Sequence, residues 1–266
     1  MKKIVSALLL VVMSGLLLTG CGNTGTQDAG KKAETKTPQK IVIGLDDTFA
    51  PMGFRDENNN LVGFDVEMAK EAASRLNMEI EFRPIDWNSK EVELNSKKVD
   101  VLWNGLTITE DRKKNIAFTK PYMANQQIIV VPANSTIKTK ADLAGKVVGT
   151  QDGSTSVDAI NNEPQVKKSF KELKLYGDFS QALMDLKTSR LDAVVIDEIV
   201  GRYYTAKKPG EYTILTDTFG TEDYGVGFRK DDTELLNKVD KVLDDMKADG
   251  TAAKISEKWF GKNIVK

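Results

Sequence analysis

The chain has 266 residues, with 38 Lys plus Arg against 39 Asp plus Glu, a formal charge of −1 at pH 7, and no histidine. Near-neutral charge without Lys/Arg clusters argues against nucleic acid as a partner. The missing histidines, with a single cysteine, remove the usual ligands of a zinc or copper site and the commonest general base.

Lys2 and Lys3 precede an apolar run from Ile4 to Leu18 that is too short for a comfortable membrane span, the pattern of a signal peptide, here over residues 1–20. It ends Leu18-Thr19-Gly20-Cys21, which resembles the bacterial lipoprotein box, where the Cys receives diacylglycerol and becomes the mature N-terminus. Cys21 is therefore the expected lipidation site; a lone Cys in an exported chain would otherwise be an unpaired thiol. The polar stretch that follows predicts a flexible tether over residues 21–39. Roughly 230 residues remain, enough for one large domain or two smaller ones.

Ile41-Val42-Ile43-Gly44-Leu45 reads as a buried parallel strand with Asp46 at its C-terminal end, where ligands sit in open α/β sheets. Phe49 to Phe54 is predicted to be a loop because of Pro51 and Gly53, and Phe49 either covers the core edge or faces a ligand. A helix opens at Gly63-Phe64-Asp65, with Val66, Ala69, Ala73 and Leu76 on its buried face. Met78 to Arg83 alternates as a strand, and Trp87 follows in a loop placed like Phe49.

After a helix over about Ser89 to Lys97, the apolar strand Val99 to Trp103 runs into Asn104-Gly105-Leu106-Thr107-Ile108-Thr109-Glu110-Asp111-Arg112. This reads as a strand-to-helix corner, with Thr109 a candidate N-cap and acids facing the positive helix end. Such a corner offers backbone N–H groups to a small anion, and Arg112 adds a planar fork suited to a carboxylate.

Tyr122 to Val131 is extended and apolar, and a second unit begins after Pro132. Lys146 to Thr150 is a strand, and Gln151-Asp152-Gly153-Ser154-Thr155-Ser156 leads into a helix, again a polar anion-binding start but without the Lys and glycine spacing of a Walker loop. Leu173 to Tyr176 is a strand, Phe179 to Lys187 a helix, and Leu191 to Ile196 a buried strand ending in Asp197. A carboxylate there is costly unless paired, which implies a cationic partner, and Asp197 can also cap the helix that follows. Glu222 to Phe228 is a second extended run, in which Gly225 and Gly227 are free to absorb dihedral change. Two helices close the chain, the last carrying Trp259 and Phe260. A chain passing twice between two units permits hinge closure about a ligand.

Gly63-Phe64-Asp65-Val66-Glu67-Met68, with Ala72, Ala73 and Leu76 behind it, and the block Gly105 to Lys114 followed by Phe118 and Tyr122 carry a family resemblance. On these residues the chain resembles the bacterial extracellular solute-binding proteins of the polar amino acid type (family 3), which serve ABC importers. The match covers about Lys40 through Gly261. It implies an α/β, two-lobed periplasmic binding protein-like II fold with two hinge crossings: lobe 1 from residues 40–123 and 225–266, lobe 2 from 127–221, hinge strands at 124–126 and 222–224.

The resemblance implies that Arg112 binds the ligand carboxylate, supported by Thr107 and the backbone at Gly105, that Asp197 takes the α-ammonium, and that Thr155 closes from lobe 2. Phe49 and Trp87 would sandwich the side chain, with Asp46 at its far end and Asn104 and Gln151 as polar lining. It implies no catalytic residue, metal or cofactor. The expected partners are an amino acid, an ABC permease and the membrane, reached through lipid at Cys21. The protein is expected to be a monomer on the extracytoplasmic face of the cell membrane. Two other classes stay open: a dehydratase-like enzyme on the same fold, and an adhesin or receptor ectodomain. The ligand is also open. Asp46, Phe49 and Trp87 suit arginine by charge and cation–π contact, or glutamine by hydrogen bonding, while the lining tolerates cystine; glutamate would be repelled.

Overall fold

The computed structural model describes residues 39–266; the expected signal peptide, Cys21 and all of the tether except Gln39 lie outside the described residues. Gln39 itself opens the first strand. The chain builds two five-stranded sheets and one small three-stranded sheet, each large sheet flanked by helices.

The first sheet begins with β1 (Gln39–Leu45), whose residues Ile41, Ile43 and Leu45 are buried, as a strand covered on its faces requires. The segment expected as a loop is instead a small antiparallel sheet of β2 (Thr48–Phe49), β3 (Gly53–Arg55) and β4 (Leu61–Val62), with Phe49 opposite Gly53. Pro51 stands at the turn, where its missing N–H costs no ladder bond, so it does not exclude the hairpin. Helix α1 (Phe64–Arg75) buries Phe64, Val66, Met68, Ala69, Ala72 and Ala73 on one face. It leads to β5 (Met78–Pro84), parallel to β1, then a 3₁₀ turn over Trp87–Ser89 and α2 (Lys90–Asn95).

Strand β6 is short (Val101–Leu102), parallel to β1, and the chain then turns through the Gly105 to Arg112 corner. The helix expected after Thr109 is only a 3₁₀ turn, Arg112–Lys114, before β7 (Ile116–Phe118). Thr109 still caps it, since its hydroxyl accepts from the Arg112 N–H at 3.0 Å.

Strand β8 (Met123–Pro132) carries the chain into the second sheet. There follow β9 (Val147–Gln151), α3 (Thr155–Asn161), α4 (Pro164–Ser169), β10 (Glu172–Tyr176), α5 (Phe179–Lys187), β11 (Ala193–Asp197) and α6 (Glu198–Lys207). Strands β9, β10 and β11 are parallel, and β8 runs antiparallel to β11. The long return strand β12 (Tyr212–Tyr224) pairs antiparallel with β8, with Glu222 opposite Asn125 and Tyr224 opposite Met123. Its first half went unread because irregular pairing breaks the alternation around Thr218.

The chain re-enters the first sheet as β13 (Gly227–Arg229), antiparallel to both β6 and β7, and ends in α7 (Thr233–Ala248) and α8 (Thr251–Phe260). Gly225 and Gly227 are explained by packing rather than by torsional freedom. A Cβ at Gly225 would stand 2.8 Å from Ile108 and one at Gly227 2.6 Å from Leu106, and neither residue has a positive φ. The parallel strands β1, β6, β9 and β11 therefore end facing a common cleft, the place where open α/β sheets put their ligands. No helix among the described residues is long and apolar enough to cross a membrane.

Candidate functional site

The corner after β6 is held from beneath by Asp65. Its Oδ2 accepts from the Gly105 N–H at 2.7 Å and from the Tyr122 hydroxyl at 2.9 Å. Burial raises the Asp65 pKa to about 7, against the pull of those donors. Gly105 has φ +59°, and a Cβ would meet the Phe49 ring at 2.8 Å, so glycine is required there twice over. Because its N–H points down to Asp65, it does not face the cleft as the sequence reading expected.

Arg112 is buried, and its fork is spent on carbonyls: Nη1 donates to Thr107 O at 2.9 Å and Nη2 to Gly153 O at 3.2 Å, across the cleft. Burial draws its pKa down, while Asp158 and Glu222 oppose this. Lys90, which the sequence reading did not single out, is also buried. Its ammonium donates to the same Gly153 O at 2.7 Å and to Trp87 O at 3.1 Å, and lies 5.3 Å from the Trp87 ring centre. Burial, then the neighbouring Arg112 charge, lower the Lys90 pKa to about 7.

Asp197 ends β11 at the N-cap position of α6, but its side chain does not cap the helix. It accepts from Asn125 Nδ2 at 2.7 Å, Gln127 Nε2 at 3.0 Å and the Tyr224 hydroxyl at 2.6 Å. Burial first, and then the Glu222 charge, push its carboxyl well above the usual range. Thr155 and Thr107 meet across the cleft at 3.1 Å between hydroxyls.

At the other end, Asp46 Oδ1 accepts from the Thr48 N–H (2.9 Å) and hydroxyl (2.7 Å), while Oδ2 accepts from Gln151 Nε2 across the cleft at 2.8 Å. Burial raises its pKa, partly offset by these donors. Asn104 Oδ1 accepts from the Asp46 N–H at 3.0 Å, tying β6 to β1. Gln151 Oε1 is buried with no partner.

Eight of the ten expected ligand residues (Phe49, Trp87, Gly105, Thr107, Arg112, Gln151, Thr155 and Asp197) line one small space of about 10 Å³, together with Ser154. Asp46 and Asn104 lie just behind Gln151. The space is smaller than any amino acid, so admission of one requires the two sides to part. Arg112 and Asp197, from different lobes, face this space with no ion pair to each other.

This arrangement agrees with a match over residues 41–262 to the family model of bacterial extracellular solute-binding proteins, family 3. The chain belongs to that family. Its relatives include the L-cystine-binding protein TcyJ of Escherichia coli strain K12, 31% identical over 97% of this chain and 96% of the relative. The arginine-binding extracellular protein ArtP of Bacillus subtilis is 33% identical over 95% of this chain and 96% of its own length. Among solved structures, an ABC uptake transporter substrate-binding protein from Streptococcus pneumoniae with bound histidine superposes at a TM-score of 0.83, with 35% identity, covering 85% of this chain and 94% of that one. An ancestral arginine-binding protein bound to arginine gives 0.77 at 44% identity, covering 85% and 100%. The two-lobed fold and membership in a family of amino-acid-binding proteins thus stand on sequence and structure together.

Sequence reading missed Asp65, Lys90, Asn125, Gln127 and Glu222. Only Asp65 carried a local signal, since it sits in the Gly63-Phe64-Asp65 block that also carried the family resemblance. The others acquire meaning only when the two sheets face each other.

Proposed function

We propose that this chain is a lipid-anchored extracellular receptor that binds a polar L-amino acid between its lobes and delivers it to an ABC import permease. The observation that carries the reading is that a buried guanidinium and a buried carboxylate, without salt-bridge partners among the described residues, converge from opposite sides on one small space. A zwitterion matches that pair. Its carboxylate draws the Arg112 fork from the carbonyls of Thr107 and Gly153, forming charge-assisted bonds, and its ammonium meets Asp197. The ligand thereby gains contacts with both lobes that exist only when they are together, and this difference drives closure. The permease reads the closed shape.

At the far end, Asp46 Oδ2 and the unpartnered Gln151 Oε1 are acceptors, so the ligand side chain is one that carries N–H donors, such as arginine or glutamine, and not glutamate. Phe49 and Trp87 are buried at the same space and suit the flat faces of such groups. Several relatives are named for arginine and others for cystine or histidine, which supports a polar ligand without singling one out. The protein acts as a monomer, held to the outer face of the cell membrane by diacylglycerol on Cys21, and is a receptor rather than an enzyme.

A thermal-shift panel of all common L-amino acids and L-cystine tests the reading, with the D-enantiomers as controls. Stabilisation by one or a few polar L-amino acids is expected; a flat panel overturns it. Replacing Cys21 by Ala should release the protein from the membrane fraction into the medium or periplasm, and retention there would refute the anchor.

A further inference from the structure

Glu222 belongs to none of the site residues read from the sequence, yet it reaches the same point as Asp197. Its Oε1 accepts from Thr107 Oγ1 at 2.9 Å, Asn125 Nδ2 at 2.7 Å and Gln127 Nε2 at 2.9 Å. Asn125 and Gln127 are the very amides that donate to Asp197 Oδ1. Held on the same two amide nitrogens, the two acids lie side by side, where two ionised carboxylates repel each other and a shared proton relieves the repulsion. Every hydrogen-bond donor to the pair from other side chains is neutral: two amides, a threonine and the Tyr224 hydroxyl.

We propose that Asp197 and Glu222 together form the ammonium seat, sharing one proton that an arriving α-ammonium expels. This rests on the amino-acid reading above and adds its proton balance. On binding, the carboxyl O–H bond breaks, its electron pair stays on oxygen and the proton leaves to water. The N–H groups of the ammonium then replace it as donors between the two acids. The two acids together carry one negative charge before binding and two after it, and the ammonium brings the occupied seat back to one, so the ligand's positive charge enters a buried site without leaving two like charges unbridged.

Among the described residues, the charged and titratable surroundings do not supply another counter-ion. From β8 come only the amides Asn125 and Gln127. Strand β12 adds Tyr224, which donates to Asp197. Asp158 of α3 brings further negative charge near Glu222. Glu198 of α6 is engaged by Arg202 and Gln126. Arg112, in the opposite lobe, is a cation felt by both acids, but its bonds go to carbonyls. Burial together with the neighbouring carboxylate raises Asp197, consistent with a retained proton.

Two measurements test the pair. In the ligand-free mature protein near pH 6, infrared spectra should contain a protonated-carboxyl C=O band that Glu222→Gln removes or shifts; identical bands in both proteins overturn the shared proton without reference to any ligand. In calorimetric titrations near pH 6 with L-arginine, L-glutamine and L-cystine, run in phosphate and in Bis-Tris, whose ionisation heats differ, whichever ligand binds the wild type should release about one proton and bind about tenfold tighter per pH unit gained. Glu222→Gln should bind several-fold more weakly and release almost none. Binding without buffer-dependent heat, or equal release from the variant, overturns proton expulsion. If the Glu222-sensitive infrared band is present and none of these amino acids binds, the pair stands, proton expulsion by these ligands is overturned, and the donor-bearing-ligand reading fails instead.

Discussion

Asp46 is fully engaged, with one oxygen held by Thr48 and the other by Gln151 from across the cleft. A ligand side chain arriving there must therefore replace the Gln151 amide as donor, and the value of the exchange depends on the ligand's charge. Asp46→Asn should cost a cationic ligand more than ~1.5 kcal/mol, the worth of a charge-assisted bond, and a neutral one less. Affinities for arginine and glutamine, measured side by side on both proteins, read this directly. Equal losses for the two would mean that Asp46 serves the contact between lobes and not the ligand.

At the scale of elements, the Gly105 to Arg112 corner depends on Asp65, a carboxyl buried under it with its pKa raised to about 7. A raised carboxyl pKa means that the unfolded chain ionises first. Stability on this account is full below the unfolded value near 4, falls as pH rises, and levels off above the folded value. The whole change is on the order of 4 kcal/mol. Asn keeps an acceptor for the Gly105 N–H and for Tyr122, so Asp65→Asn should flatten the fall between pH 4 and 7. Denaturant midpoints of the two proteins across that range check it, and parallel profiles would contradict it.

The same corner marks what was legible in the chain. Its strand, its Thr109 cap and its arginine were readable because each is a local pattern of residue type and spacing. The length of the turn after Arg112 was not, because Ile116 to Phe118 is drawn into pairing with β13, more than a hundred residues on, before a helix can propagate. The strand ends bearing Asp46, Gln151 and Asp197 were likewise readable from apolar runs that stop at a polar residue. Lys90 and Glu222 were not. Nothing beside them distinguishes a solvated charge from a buried one, and their partners, Gly153 for Lys90 and Asn125 and Gln127 for Glu222, come from distant parts of the chain. The hairpin at Phe49 was misread because a proline was taken to exclude a strand, when only its ladder positions do.

For the molecule as a whole, the lobes meet at Gly153, whose carbonyl receives both Lys90 and Arg112. It has φ +68°, and a Cβ there would lie 2.7 Å from the Asn88 Cα of the opposing lobe. Backbone cannot yield as a flexible side chain can, so alanine should oppose closure as well as strain its own turn by roughly 1–2 kcal/mol. Gly153→Ala should weaken amino-acid binding at least tenfold and leave a larger radius of gyration in small-angle scattering when ligand is added. An unchanged radius and affinity would show that the lobes do not close onto this loop.

The central claim is that a zwitterion bridges Arg112 and Asp197. The most direct test is calorimetric titration of wild type and Arg112→Met with the amino acid that most stabilises the wild type. Micromolar or tighter binding that falls at least a hundredfold in the variant, about 2.7 kcal/mol, is the predicted result. A variant that binds as tightly as the wild type would contradict it.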